Sequence, residues 1–114
     1  MAQPVVHFEV LGKDGKKLQE FYGKLFDWNV DANNPMQYGI VAGGDGGIGG
    51  GVAASQDGKP FVTFYVNVPD VAEALKQAES LGGKTVMPPM AVPGGPEIAQ
   101  FSDPEGNVIG LTKM

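Results

Sequence analysis

The sequence predicts an α+β fold of two tandem β-α-β-β-β modules, and three observations support this prediction. The segment V-H-F-E-V at residues 6–10 shares its Val-x-Phe-x-Val frame with V-T-F-Y-V at residues 62–66, at an offset of 56 residues. Asp14 and Asp70, separated by the same offset, each open a helical pattern. Three short strand-like segments, divided by turn residues, follow each helical pattern.

Length and composition limit the classes of protein to which the chain can belong. Its 114 residues suffice for one domain, residues 1–114, with module one at about residues 4–56 and module two at about residues 60–114. The chain has no cysteine, which excludes disulfides and thiolate metal ligands. A net charge of −5 argues against nucleic acid or an anionic membrane as a partner. We see no signal peptide or membrane span, and we expect a cytoplasmic protein.

The helices and strands follow from the spacing of apolar residues. Apolar side chains at helical spacing predict one helix over residues 14–27 and another over residues 70–81, which Gly82 and Gly83 end. Strands are predicted at Trp28–Asp31, Met36–Ala42, Ile48–Ala54, Lys84–Met87, Glu97–Ser102 and Asn107–Thr112. The D-P-E-G stretch before the last strand predicts a tight turn. Residues 88–96 contain four prolines and are predicted to form a loop, since proline cannot donate in a central strand.

The first strand of each module places polar residues on one face. Side chains alternate along a strand, so if Phe8 packs beneath the helix, His7 and Glu9 point the opposite way. In module two the same alternation predicts that Val62, Phe64, Val66 and Val68 pack, while Thr63, Tyr65 and Asn67 point away. A face with histidine, amide and aromatic groups is typical of a pocket wall. The alternative is an ordinary solvated sheet face.

Three segments resemble a known family. The first is H-F-E-V with F-Y at 21–22 and F-D-W at 26–28, and the second is V-N-V-P-D-V-A-E-A-L at 66–75. The third, F-S-D-P-E-G-N-V-I-G-L at 101–111, is the most specific. Together they resemble the vicinal oxygen chelate superfamily, which includes glyoxalase I, bleomycin-resistance proteins and extradiol dioxygenases. The resemblance implies a curled mixed sheet around a cup-shaped cavity, and a homodimer.

The resemblance also implies metal-ligand positions on the first and last strand of each module. These positions fall on His7 and on Gly49 or Gly50 in module one, and on Thr63 and Gly110 in module two. Only His7 is a usual ligand, whereas a zinc or non-haem iron site needs at least three protein donors. We therefore predict no cofactor. If a divalent metal binds, its ligands are expected to be His7 and Glu9.

His7, the single histidine, has three interpretations. It is a partly buried imidazole that remains from an ancestral site, a ligand contact in a metal-free pocket, or a metal ligand or general base. We expect Glu9 to pair with it and to favour the protonated imidazole. The candidate ligand-binding residues are His7, Glu9, Tyr38, Thr63, Tyr65, Asn67 and Gln100.

The glycine-rich stretch at residues 43–51 does not predict a phosphate-binding loop, because a strand follows it where a helix would be needed. The favoured function is metal-free binding of a small apolar or aromatic molecule. The alternative is a divergent metal-dependent lyase, isomerase or dioxygenase that uses His7 and Glu9. A protein-interaction module is a third possibility, and nothing in the sequence names a substrate.

Overall fold

The computed structural model describes residues 2–114 and contains the β-α-β-β-β order twice. The first half consists of β1 (Val5–Gly12), α1 (Gly15–Phe26), β2 (Val30–Asp31), β3 (Gly39–Val41) and β4 (Gly49–Ala54). The second half consists of β5 (Phe61–Asn67), α2 (Val71–Ser80), β6 (Lys84–Ala91), β7 (Glu97–Ser102) and β8 (Val108–Lys113). The predicted α+β fold with tandem modules is confirmed. Neither helix among the described residues has the length and apolar character that a membrane span requires.

The chain divides into two compact units. The first unit comprises residues 7–63, and the second unit comprises residues 64–114 together with the N-terminal residues up to 6. A backbone hydrogen bond of 2.9 Å from the Asn67 amide to the Pro4 carbonyl ties the N-terminal residues to the second unit.

In the first unit the strand order is β2-β3-β4-β1, with β1 parallel to β4 and the other pairs antiparallel. The register places His7 beside Gly49 and Glu9 beside Gly51. Helix α1 forms the crossover that a parallel pair requires, and it packs on β4. It begins where the Asp14 carboxylate accepts a hydrogen bond of 3.1 Å from the Lys17 amide.

The apolar side of α1 is only partly covered. Phe21, Leu25 and Phe26 are 57%, 58% and 53% exposed, although their helical spacing suggested a core-facing stripe. The aromatic side chains at the end of the helix contact one another instead: the Trp28 ring lies 5.9 Å from that of Tyr22 and 5.3 Å from that of Phe8. The helix itself is confirmed, but part of its apolar surface faces outward.

In the second unit the strand order is β5-β8-β7-β6, with β5 parallel to β8 and the other pairs antiparallel. Helix α2 begins at Asp70, whose side chain accepts a hydrogen bond of 3.1 Å from the Glu73 amide. The helix covers a small apolar core. Its buried members are Val68, Val71, Leu75, Ala99 and Leu111.

Two sequence predictions for the second half were wrong. Strand β6 continues to Ala91 through Pro88 and Pro89, where a loop was expected. Within the four-stranded sheet it is an edge strand, and its pairing with β7 shifts register on both sides of Met87, so the missing proline donors are tolerated. Val62 and Phe64, expected to pack, are 71% and 39% exposed, because α2 lies over β6, β7 and β8.

The turn between β7 and β8 forms as predicted. The Asp103 carboxylate accepts hydrogen bonds from the backbone amides of Glu105 at 2.9 Å and Asn107 at 3.0 Å, and Gly106 adopts a φ of 95°. A further hydrogen bond from the Asn107 side chain is the main reason why the pKa of Asp103 is lowered. The turn is therefore fixed by one aspartate, in the manner of an Asx-turn.

Candidate functional site

Tyr38 joins the two candidate residues of β1. Its hydroxyl oxygen lies 2.8 Å from His7 Nε2 and donates a hydrogen bond of 2.9 Å to Glu9 Oε2. His7 and Glu9 are two residues apart on β1 and so share one face of the strand. The three side chains therefore form one hydrogen-bonded group, which we call the Tyr38 bridge.

The donors in the Tyr38 bridge can be assigned from chemistry. A carboxylate only accepts, and a tyrosine hydroxyl has a single proton, which goes to Glu9. His7 Nε2 must then carry the proton that bonds to the Tyr38 oxygen. We expected Glu9 to favour a protonated His7. This was wrong: burial lowers the pKa of His7 and so favours the neutral imidazole.

Local backbone contacts hold Tyr38 in place. Asn34 donates a hydrogen bond of 2.8 Å from its amide nitrogen to the Tyr38 carbonyl and accepts one of 2.9 Å from the Tyr38 amide. Gln37, just before the tyrosine, adopts a left-handed φ of 53°. Gln19 of α1 donates hydrogen bonds to the carbonyls of Gln37 at 3.0 Å and Val52 at 2.8 Å. Residues 34–38 are thereby anchored to both α1 and β4.

Gly51 makes room for the Tyr38 ring. A Cβ atom at Gly51 would overlap the hydroxyl and ring of Tyr38. Gly51 pairs with Glu9 in the same way that Gly110 pairs with Tyr65, so Gly51 is the equivalent of Gly110 in the first unit. The expectation that Gly49 or Gly50 holds this position was wrong by one or two residues.

The second unit repeats the arrangement of an aromatic ring over a glycine. A Cβ atom at Gly110 would overlap the ring of Tyr65, which is only 6% exposed. Gln100 pairs with Gly110, and Asn67 Oδ1 accepts a hydrogen bond of 3.2 Å from the Met114 amide. Tyr65, Asn67 and Gln100 therefore share one face of the second-unit sheet.

The seven predicted residues are thus divided between the two units. His7, Glu9 and Tyr38 meet in the first unit, whereas Tyr65, Asn67 and Gln100 lie in the second. Thr63 belongs to the first unit and is 5% exposed. Sequence reasoning missed Asn34 as the residue that positions Tyr38. The available signal was the Asn-Asn-Pro stretch, which is typical of a turn but does not reveal its partner.

The donors present do not fit a divalent metal site of the expected kind. Gly51 and Gly110 have no side-chain donor, and the Tyr38 oxygen lies at hydrogen-bonding distance from both His7 and Glu9. Within residues 2–114 there is no cluster of three or more His, Asp or Glu side chains placed to hold a metal ion. The phenol occupies the position between the two donors that a shared cation would need.

Comparison with family profiles gives the affiliation of the chain. Residues 5–111 match the profile of the Glyoxalase/Bleomycin resistance protein/Dioxygenase superfamily. The chain belongs to this superfamily. The match covers both modules, as the resemblance of the three segments predicted. A comparison with curated protein sequences found no match.

Solved structures with a similar fold have different descriptions. A protein described as NAD-dependent benzaldehyde dehydrogenase from Legionella pneumophila is 21% identical, with a TM-score of 0.66 over 94% of this chain and 98% of that one. A hypothetical protein from Bacillus halodurans C-125 is 13% identical, with a TM-score of 0.72 over 100% and 96%. Methylmalonyl-CoA epimerase from Mycobacterium tuberculosis is 14% identical, with a TM-score of 0.70 over 96% and 86%. These likenesses show the fold alone.

The two grooves along α2 do not contain the candidate residues. The first has a volume of about 550 Å³, lies in the second unit and runs along α2 from Asp70 to Ser80. Its lining includes Asp70, Glu73 and Lys76, which are exposed polar residues of the helix surface. The second, of about 330 Å³, lies between α2 and the residues around Leu81 and Pro104. Both grooves are open furrows along a helix, and neither contains any of the seven predicted residues.

The titration of His7 is expected to be visible both in its own NMR signal and in stability. Because burial lowers the pKa of His7 below 6.5, the unfolded chain takes up the proton at a higher pH than the folded protein. The contribution of His7 to stability is therefore complete above pH 6.5 and is lost as the pH falls from 6.5 towards the folded pKa. We expect wild type to lose stability relative to His7→Gln in this window.

The measurement is a chemical denaturation series over pH for both variants, with the imidazole signal followed by NMR. The signal needs no assignment, because the chain contains a single histidine. An imidazole that titrates above 6.5 would contradict the assignment of a neutral His7.

Proposed function

We propose that this superfamily member binds a small apolar or aromatic molecule without a metal ion, on the sheet face that carries the Tyr38 bridge. The single observation in support is the position of the Tyr38 hydroxyl, 2.8 Å from His7 Nε2 and 2.9 Å from Glu9 Oε2. Both side chains that could have served as metal ligands are engaged with a phenol. The bridge supplies fixed polar contacts at one point of this sheet face.

The surface around the bridge supports an apolar ligand. Ile40 pairs with Gly51 in the β3–β4 ladder, so its side chain lies on the same face as Glu9, and it is 54% exposed. An aromatic ring, a partly exposed aliphatic side chain and a few fixed polar groups are the usual lining of a small-molecule site. His7 and Glu9, hydrogen-bonded through Tyr38, would orient a polar substituent of the ligand.

The alternative function is a divergent lyase, isomerase or dioxygenase that uses a metal held by His7 and Glu9. Methylmalonyl-CoA epimerase among the structural neighbours illustrates that this fold is also found in enzymes. For this chain the alternative requires the Tyr38 hydroxyl to leave its position, so that one cation can contact both donors. Water or substrate would have to supply the remaining ligands.

Two measurements on chelator-treated protein separate these functions. The first is thermal unfolding with and without Mn²⁺, Fe²⁺, Ni²⁺ and Zn²⁺, for wild type and His7→Ala. A metal present at 100 times its dissociation constant would stabilise the folded state by about 2.7 kcal/mol. The second is an NMR titration of ¹⁵N-labelled protein with indole, a small neutral aromatic probe, monitored at the amides of His7, Glu9 and Ile40.

The proposal expects no metal-dependent rise in melting temperature, together with indole-induced shifts centred on the Tyr38 bridge. A rise that disappears in His7→Ala would instead establish the metal-dependent alternative. The proposed site would be refuted if indole shifted only amides of the second unit, or shifted none. Tyr38→Phe is the matched variant for the titration, because it keeps the ring and removes only the hydroxyl that joins His7 to Glu9.

The homodimer stays a prediction. Its support is the outward-facing apolar side of α1, where Phe21, Leu25 and Phe26 are more than half exposed. Large exposed apolar patches of this kind are typical of protein–protein interaction sites.

A further inference from the structure

Thr112 of β8 has a buried hydroxyl that the chain itself does not satisfy. The residue is 4% exposed, and its Oγ1 has no hydrogen-bond partner among the described residues 2–114. Native proteins pair nearly all buried polar side-chain atoms, because an unpaired one loses its bonds to water without replacement. The exception at Thr112 therefore needs an explanation, and neither the fold nor the Tyr38 bridge provides it.

The strand register shows which residues surround the hydroxyl. Leu111 packs into the core beneath α2, so Thr112, the next residue of β8, points to the opposite face of the second-unit sheet. On that face its register partners are Asn67 of β5 and Ile98 of β7. Gln100 lies one pair further along β7. Asn67, Ile98 and Gln100 are partly exposed, so the buried hydroxyl lies at the base of an open face.

This part of the face is polar but uncharged. Its hydrogen-bonding groups are those of Tyr65, Asn67, Gln100 and Thr112, and Ile98 is accompanied by its register partner Met90. Glu97 precedes Ile98 and Lys113 follows Thr112. Because side chains alternate along a strand, both charged residues lie on the opposite face of the sheet. An anion or cation would find no counter-charge here. A neutral molecule with one hydrogen-bond acceptor fits, because the Thr112 hydroxyl can donate to it.

We propose that Thr112 Oγ1 donates a hydrogen bond to the carbonyl oxygen of a neutral, largely apolar ligand bound on the second-unit sheet face. Ile98 and Met90 contact the apolar part of the ligand, and the partly exposed Asn67 and Gln100 border it. This inference rests on the proposed function, in that it assumes a protein that binds small molecules. It adds a second binding position, on the second unit and separate from the Tyr38 bridge, and the chemical class of the molecule bound there.

The test compares two probes of similar shape, acetophenone and ethylbenzene, which differ in the carbonyl group. Each is titrated into ¹⁵N-labelled wild type, Thr112→Val and Thr112→Ser, and shifts are followed at the amides of Asn67, Ile98 and Thr112. Wild type is expected to bind acetophenone about tenfold more tightly than ethylbenzene, the ratio for one buried hydrogen bond. Thr112→Val should remove this preference, and Thr112→Ser, which keeps the hydroxyl, should retain it.

The thermal stability of the ligand-free variants provides an independent measurement. Thr112→Val replaces an unpaired hydroxyl by a methyl group of similar volume, so its melting temperature should exceed that of wild type by a few degrees. A lower melting temperature would show that the hydroxyl has a partner in the free protein, and would overturn the inference. The expected combination is a variant that is more stable but has lost its preference for the carbonyl probe.

The outcomes also separate this inference from the proposed function. If acetophenone shifts only residues of the first unit, or binds Thr112→Val as tightly as wild type, the inference is overturned and small-molecule binding stands. If wild type binds neither these probes nor indole, the proposed function fails and the inference fails with it. Equal affinity of wild type for the two probes at the Thr112 face would exclude a hydrogen bond to the carbonyl.

Discussion

Replacing Gly51 with alanine is expected to destabilise the protein by about 1–3 kcal/mol and to break the Tyr38 bridge. The added Cβ would overlap the Tyr38 hydroxyl and ring, and Gly51 is buried in β4, so the strand has little freedom to move away. The phenol must therefore leave its position between His7 and Glu9. The measurements are chemical denaturation and the NMR signal of the single histidine, which should change when its Nε2 partner moves.

Two further variants make the Gly51→Ala result specific. Gly44→Ala is the matched control, because a Cβ at Gly44 would meet nothing within 4 Å; we expect it to be neutral or slightly stabilising. Combining Gly51→Ala with Tyr38→Ala removes the ring that the new methyl would overlap. The double variant should therefore be less destabilised than the sum of the single variants. Strict additivity would mean that Tyr38 does not cover Gly51.

The corresponding change in the second unit, Gly110→Ala, is expected to have an effect of similar size, about 1–3 kcal/mol. The new Cβ would overlap the ring of Tyr65, which is 6% exposed and so cannot turn easily into solvent. Gly110 is followed by Leu111, a member of the buried core beneath α2. Displacement of β8 would therefore loosen that core. Hydrogen exchange at the β5 and β8 amides, together with denaturation, measures the effect.

Gly47→Ala is the control for this prediction, because a Cβ there would make only ordinary contacts of 3.7 Å. Equal stability of Gly110→Ala and Gly47→Ala would contradict the close contact between Tyr65 and Gly110. The pair Gly110→Ala and Tyr65→Ala should again be non-additive, for the same reason as Gly51 and Tyr38.

The repeat made most of the fold predictable, because the offset of 56 residues fixed the order of elements in both halves. Asp14 and Asp70 marked the helix starts correctly, since a short side-chain acceptor satisfies amides that every helix leaves free. Details that depend on tertiary contacts could not be predicted from the sequence. The three consecutive glycines of β4 gave no side-chain pattern from which to set the register, and only the pairing of Glu9 with Gly51 identified the equivalent of Gly110.

The candidate site was predictable as a set of residue types but not as a geometry. Tyr38 was expected to face a pocket, yet its position between His7 and Glu9 depends on Asn34 and on the left-handed Gln37, and local sequence does not determine either. Thr112 was absent from the predicted residues, because a threonine in a strand carries no signal until its burial and its missing partner are known. Sequence patterns predict the periodicity of a helix or strand and the face on which a side chain lies. Hydrogen-bond partners depend on the packed fold.

The pairing of a tyrosine with a glycine in each unit also constrains how this sequence can change. A carboxylate side chain at Gly51 or Gly110 would have to enter space that the ring of Tyr38 or Tyr65 already fills. A single mutation towards a family-type metal ligand would therefore yield a less stable intermediate, whereas the same mutation after loss of the ring would not. The order of mutations matters, because each tyrosine ring has to be lost before a carboxylate side chain can be accommodated at its glycine.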